Sequence, residues 1–142
     1  MIHPEAVISS NVILWHPQLS NIGMCVIGDF CVIHSHVWIG DHVKIGEGCR
    51  IQAFSFIPTN VHLGDNVFIG PRVTFTNDKH PPSDEWLTTL VMDNVSIGAG
   101  AVILPGLTLG EGCIVGAGSV VTKSVPPRAV VYGNPAVIHR RE

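Results

Sequence analysis

Large aliphatic residues recur every six positions along most of this chain, and no other feature constrains its fold as strongly. Ile27, Ile33, Ile39, Ile45, Ile51, Ile57, Leu63 and Ile69 keep the spacing unbroken up to Phe75. The beat resumes at Val91 and runs through Ile97, Ile103, Leu109, Val115 and Val121. Ile8 and Leu14 suit an earlier turn, with a slip around HPQLSNIGM. Two residues before each large aliphatic stands a small or β-branched one, such as Val37, Val43, Cys49, Ser55, Val61, Val73, Ala101 or Ser119. Residues two apart in a strand share a face, so each hexad turns one large and one small side chain inward. Glycine often follows the large residue, as at Gly28, Gly40, Gly46 and Gly98. It is expected there to turn the corner with angles that a β-carbon forbids. No helical period survives anywhere.

Short strands and tight turns in such a repeat make a parallel β-solenoid, each coil pairing its backbone with the next at about 4.8 Å. All four cysteines (Cys25, Cys31, Cys49, Cys113) fall on the small inward position and show no CxxC spacing. They read as buried thiols, not as a metal or disulfide framework. If three hexads make one turn, Cys31 and Cys49 stack on successive coils.

The residue just before each large aliphatic points outward. At 18-residue steps these positions form columns: Trp38, Phe56 and Thr74; Val32, Arg50 and Phe68; Val26, Lys44 and His62. The first two columns are apolar enough to serve as subunit contacts, although scattered exposed apolar residues are common.

The beat carries one sizeable insertion. Residues 76–90 form a polar, proline-bearing insertion, and a loop that interrupts a solenoid can carry function without disturbing the core. The chain divides into a solenoid over 1–125 and a proline-rich tail over 126–142 that caps its open end, where unpaired strand edges would otherwise invite association. Net charge is −3 and charged residues make up 13% of the 142. With no basic cluster before HRRE at the end, the charge argues against nucleic acid as a partner. No apolar run approaches the roughly 18 residues of a membrane span, and MIHPEAV lacks a signal-peptide pattern, so a cytoplasmic location is expected.

GAGSVVTKSVPPRAVVYGNPAVI (Gly116 to Ile138) resembles the C-terminal signature of hexapeptide-repeat acetyltransferases. HVWIGDHVKIGEGCRIQ and VHLGDNVFIGPRVTFTNDKHP resemble, more narrowly, N-acetyltransferases of nucleotide-linked 3-amino sugars. The resemblance implies an all-β fold, a left-handed parallel β-helix of roughly six coils. It also implies a homotrimer that binds acetyl-CoA between neighbouring prisms, with no metal.

Acetyl transfer to an amine needs a positioned acceptor, a destination for its proton and a donor for the developing oxyanion. The resemblance assigns the acceptor side to Thr76, Asn77 and Asp78. Asn77 would contact the amine, and Asp78 would stabilise its ammonium or orient a neighbour. An Asx turn leaving the solenoid is the structural alternative for this pair. His80, before Pro81, corresponds to the general base of galactoside-type relatives, or else is a loop residue facing substrate or solvent. His34 and Gln52 share a corner and can touch a ligand in the groove. For the cofactor, the resemblance points to backbone amides beside Ala99, Gly116 and Ala117, with Lys123, Arg128 and Arg140 for its phosphates. Three other readings stay open: O-acetylation of a sugar or antibiotic hydroxyl, a zinc enzyme like γ-class carbonic anhydrase, and a non-enzymatic scaffold.

Overall fold

A computed structural model describes residues 1–141. Its strands, most of them two residues long, stack into three flat faces. The first face holds β1 (Val7–Ile8), β4 (Val26–Ile27), β7 (Lys44–Ile45), β10 (Val61–Leu63), β13 (Thr89–Val91) and β16 (Thr108–Leu109). The second holds β2 (Ile13–Leu14), β5 (Val32–Ile33), β8 (Arg50–Ile51), β11 (Phe68–Ile69), β14 (Ser96–Ile97), β17 (Ile114–Val115), β19 (Ala129–Gly133) and β20 (Ala136–Arg141). The third holds β3 (Asn21–Ile22), β6 (Trp38–Ile39), β9 (Phe56–Ile57), β12 (Thr74–Phe75), β15 (Val102–Ile103) and β18 (Val120–Val121).

All pairings between these named strands are parallel except the last, where β20 runs antiparallel to β19. Where no slip, loop or tail intervenes the register is 18 residues: Val32 faces Arg50, Trp38 faces Phe56 and Val26 faces Lys44. Three hexads therefore close one turn, and the chain is an all-β parallel β-helix. Its second face carries seven parallel strands, one turn more than the roughly six expected. The tail supplies the extra rung: Ala129–Gly133 pairs parallel with β17 before β20 covers that edge.

The interior follows the hexad. Ile27, Ile33, Ile39, Ile51, Ile57, Ile69, Phe75, Ile97, Ile103 and Leu109 are fully buried beside Val37, Val43, Val61, Val73, Val95 and Ala101. The four cysteines are buried free thiols. Burial lifts the thiol pKa values of Cys25 and Cys113 to about 11, so neither ionises near neutrality. Inward hydroxyls bond corner carbonyls instead of water: Ser55 Oγ donates to Gln52 O and Gly70 O, both at 2.9 Å, and Ser119 Oγ to Gly116 O at 2.7 Å.

The corner glycines act for a different reason than expected. None of Gly28, Gly40, Gly46 or Gly98 is among the positive-φ residues. At Gly98 a β-carbon would lie 2.5 Å from the backbone nitrogen of Ala117 in the next coil, so close stacking requires glycine there. The left-handed residue comes two positions later, at Phe30, His36, His42, Phe54, Asn60, Asn66, Arg72 or Asn94, and at Gly100 or Gly118 near the C-terminal end.

Candidate active site

The break after Phe75 leaves the corner between the third and first faces. It is shorter than the expected 76–90 insertion. Thr89 and Leu90 already belong to β13, paired with Val61 and His62. The β-branched Thr89 turns inward and is fully buried, its hydroxyl accepting from Gly106 N at 3.1 Å.

Within the loop, hydrogen bonds commit most of the polar groups. Thr76 Oγ1 donates to Ile103 O at 2.8 Å, which fixes the exit from β12. Asn77 stands one coil above Thr59 in the corner column Asp41–Thr59–Asn77, and its Nδ2 donates to Thr59 O at 2.9 Å. Its side-chain oxygen has no protein partner among the described residues, so it can accept from a ligand. Asp78 behaves differently. Its carboxylate accepts from Ser83 Oγ at 2.6 Å and from Ser83 N at 2.7 Å, and these bonds lower its pKa below the usual carboxylate value. Asp78 is therefore an anionic staple across the loop, close to the Asx-turn alternative. Trp86 closes the other end through a bridge to Asp78 and Nε1–H to Ser83 O at 3.1 Å. His80 is exposed between these ties.

Most of the other residues singled out in the sequence share one other corner. His34 and Gln52 stack, half-buried, where the chain enters the third face. Gly98 and Gly116 continue the Gln52 column upward, with Ala99 and Ala117 one residue further into the corner. The corner that leaves the first face is built differently. There Asp65 Oδ1 accepts from Glu47 N and Asp93 Oδ1 from Asp65 N, at 2.8 and 2.7 Å. Alanine replaces these caps at 99 and 117, and the Ala99 and Ala117 amides donate to no protein group among the described residues. The contrast between GDN and GAG is the sequence signal for this opening. Lys123 lines a recess of about 280 Å³ under the C-terminal hairpin with Thr122 and Ile138. Arg140 lies on β20, opposite Val130. Arg128 sits on the corner leaving the first face, away from Ala99 and Ala117, with its amide on Glu111 O.

Within one chain, the Asn77–His80 loop and the Ala99–Ala117 amides thus lie on opposite edges of the third face. They do not meet.

An open depression of about 950 Å³ lies on the first face away from the loop, with Lys44, His62, Leu90, Met92 and Thr108 among its lining. The sequence reading took His62 only as an outward residue. Its Nδ1 is buried without a partner, and desolvation followed by the Lys44 ammonium lowers its pKa. In the unfolded chain this histidine takes up its proton near pH 6.5, earlier than in the folded state as acid is added. Stability is therefore complete above that pH and falls as pH drops through 6.5 and below. His62→Gln should flatten the decline in thermal midpoint between pH 7 and pH 5; an unchanged decline would place it elsewhere.

Comparison with known proteins agrees with this architecture. The family model for the bacterial transferase hexapeptide (six repeats) matches residues 24–52, 42–77 and 88–123. These segments take in more than half of the chain, which belongs to that family. The galactoside O-acetyltransferase of Lactococcus lactis subsp. lactis (strain IL1403) is 30% identical over 128 residues, covering 81% of this chain and 62% of the relative. The GDP-perosamine N-acetyltransferase of Caulobacter crescentus, solved as a histidine-to-alanine variant with CoA and GDP-perosamine, is 27% identical with a TM-score of 0.71. That match covers 98% of this chain and 55% of the other. The acetyltransferase domain of PglB from Neisseria gonorrhoeae FA1090, in complex with acetyl coenzyme A, shares the fold at 23% identity and a TM-score of 0.70, over 96% of this chain and 56% of that one. The chain thus spans between half and two thirds of the length of these relatives. No helix among the described residues is long and apolar enough to cross a membrane. No group of three or more potential metal ligands is found among them either.

Proposed function

We propose that this protein is an acetyl-CoA-dependent N-acetyltransferase acting on the amine of a nucleotide-linked amino sugar, a reaction suited to making cell-surface polysaccharide precursors. The likeness to GDP-perosamine N-acetyltransferase, which runs over 98% of the chain, carries this reading. The separation of the two groups across the third face supports a homotrimer, in which one prism's loop completes the neighbour's corner, and we assign it to the cytoplasm. The Val32, Arg50, Phe68 column is the contact surface, and the third face lines the cleft.

In such a cleft the amides of Ala99 and Ala117, beside Gly116, are open to the pantetheine arm and thioester oxygen of acetyl-CoA. Lys123 and Arg140 serve its phosphates, with Arg128 further round the prism. Thr76 holds the loop base, while His34 and Gln52 line the corner facing the ligand. The Asn77 oxygen accepts a hydrogen from the acceptor amine and aims its lone pair at the thioester carbon. The nitrogen–carbon bond forms as the carbon–sulfur bond breaks. The amine's proton leaves through His80 or water to the thiolate of CoA. Asp78 keeps the loop in shape through Ser83.

A second reading, acetylation of a sugar or antibiotic hydroxyl, is favoured by the galactoside O-acetyltransferase likeness together with the exposed His80. A hydroxyl needs a base more than an amine does. Thiol release from acetyl-CoA, measured against panels of nucleotide-linked amino sugars and of simple glycosides, separates the two. Amino sugars should be preferred, and Asn77→Ala and His80→Ala should each lower turnover about tenfold or more, roughly 1.4 kcal/mol. If neither does, the loop is not the site; transfer only to glycosides would establish the second reading.

A further inference from the structure

Directly beneath the loop, on the same corner, lies a recess of about 290 Å³ whose lining includes Asn21, Gly23, Trp38, Gly40, Asp41 and Thr59. Its construction is that of a slot for a flat ring. The indole of Trp38 forms one wall, 48% exposed and backed by Phe56 with ring centroids 6.2 Å apart. Gly23 and Gly40 contribute bare backbone. A β-carbon at Gly40 would lie 2.6 Å from Thr59 N, so the coil above holds this position to glycine.

Two polar groups stand at the edges. Asp41 is fixed because its Oδ1 accepts from Met24 N at 2.8 Å, and that leaves Oδ2 open. The Asn21 carboxamide has no protein partner among the described residues, so it can both donate and accept. Thr59 joins the recess to the loop, since its carbonyl receives Asn77 Nδ2. Along the third face, Asn21, Trp38, Phe56 and Thr74 stand in register on successive coils. At about 4.8 Å per coil, Trp38 and Asp41 lie two coils, about 10 Å, below Thr74 and Asn77. Two phosphates and a sugar bridge a gap of that order.

We propose that this slot holds the base of the acceptor nucleotide, stacked on Trp38, and that it selects bases with a ring N–H beside a carbonyl: uracil, thymine or guanine. Asp41 Oδ2 accepts the ring N–H and the Asn21 amide donates to the adjacent carbonyl oxygen. In the same placement adenine and cytosine, joined to ribose, set a ring-nitrogen lone pair against the carboxylate and an amino group against the Asn21 donor, so both contacts are lost. The slot thereby sets the distance at which the sugar amine meets Asn77. The inference rests on the nucleotide-linked acceptor proposed above, yet it is tested without turnover.

Binding of UDP, dTDP, GDP, ADP and CDP is measured by calorimetry, with ribose 5-phosphate as the control that has no base. At least one of UDP, dTDP and GDP should bind about tenfold tighter than ADP and CDP. Trp38→Ala, checked for an unchanged thermal midpoint, should weaken that nucleotide about tenfold or more, whereas Trp38→Phe retains most of it. Asp41→Asn keeps an acceptor for Met24 N but replaces the open oxygen by a donor, and it should erase the preference over ADP and CDP. Equal binding of all five nucleotides, or nucleotide binding indifferent to Trp38→Ala, overturns the slot even if acetyl transfer is found. Conversely, Trp38-dependent nucleotide binding with no transfer to any nucleotide amino sugar keeps the slot and removes the reaction.

Discussion

Replacing Phe75 by alanine is expected to cost about 3–5 kcal/mol of stability, the range for emptying a fully buried phenylalanine site. Phe75 is the bulkiest of the completely buried side chains and the last of the unbroken hexad series. It pairs with Ile103 across the coil that the loop interrupts. The solenoid wall around it consists of two-residue strands locked in register above and below, so the cavity has little freedom to collapse. For a chain of this length the loss corresponds to a fall in thermal midpoint of about 10 °C, readable by calorimetry. The loop should suffer as well. Thr76 N and Thr76 Oγ1 both bond Ile103 O, and this anchor moves with β12. A drop smaller than about 1 kcal/mol would mean that the wall closes over the gap, contrary to the packing described here.

A paired glycine experiment has nearly as large an effect and separates two physical causes. Gly98→Ala places a methyl group 2.5 Å from Ala117 N and 3.0 Å from Gly116 C. Neither is the flexible end of a side chain; both are backbone of the next coil. Relief requires prising the coils apart, which breaks the rung bond from Gly98 N to Val115 O at 2.8 Å. A cost of about 1–3 kcal/mol or more is expected. Gly100→Ala meets no atom within 4 Å but is held at φ +71°. It should cost only about 1 kcal/mol, the penalty of a left-handed alanine. Equal midpoints in denaturant for the two variants would mean that close stacking is not what requires glycine after the large aliphatic.

The corner glycines are constrained by more than their local pattern. Gly98 and its equivalents follow the large residue regularly, and a turn was the nearest local explanation. The actual constraint comes from a residue about eighteen positions away, which no local pattern contains. The left-handed corners fall instead on residues such as Phe54, Asn66 and Arg72. Asp78 is a similar case. Its place beside Asn77 was legible, but Ser83 takes its carboxylate only because the loop folds back through the Asp78–Trp86 bridge. His62 was visible as an outward residue, whereas the burial of its Nδ1 beside Lys44 depends on neighbouring coils.

The sequence by itself determined the architecture of this protein. A six-residue period with one large and one small inward side chain is a local code, and it repeats often enough to dictate strands, corners, buried cysteines and the place where the wall opens. Tertiary structure decided which of the remaining residues belong together. Three hexads per turn bring Asp41, Thr59 and Asn77 into one column and set Ala99 and Ala117 on another, across the third face. The physical reason is that outward side chains carry no period of their own. Their neighbours are fixed by how the coils stack, and their free hydrogen-bonding groups by whichever partner that stacking leaves within reach.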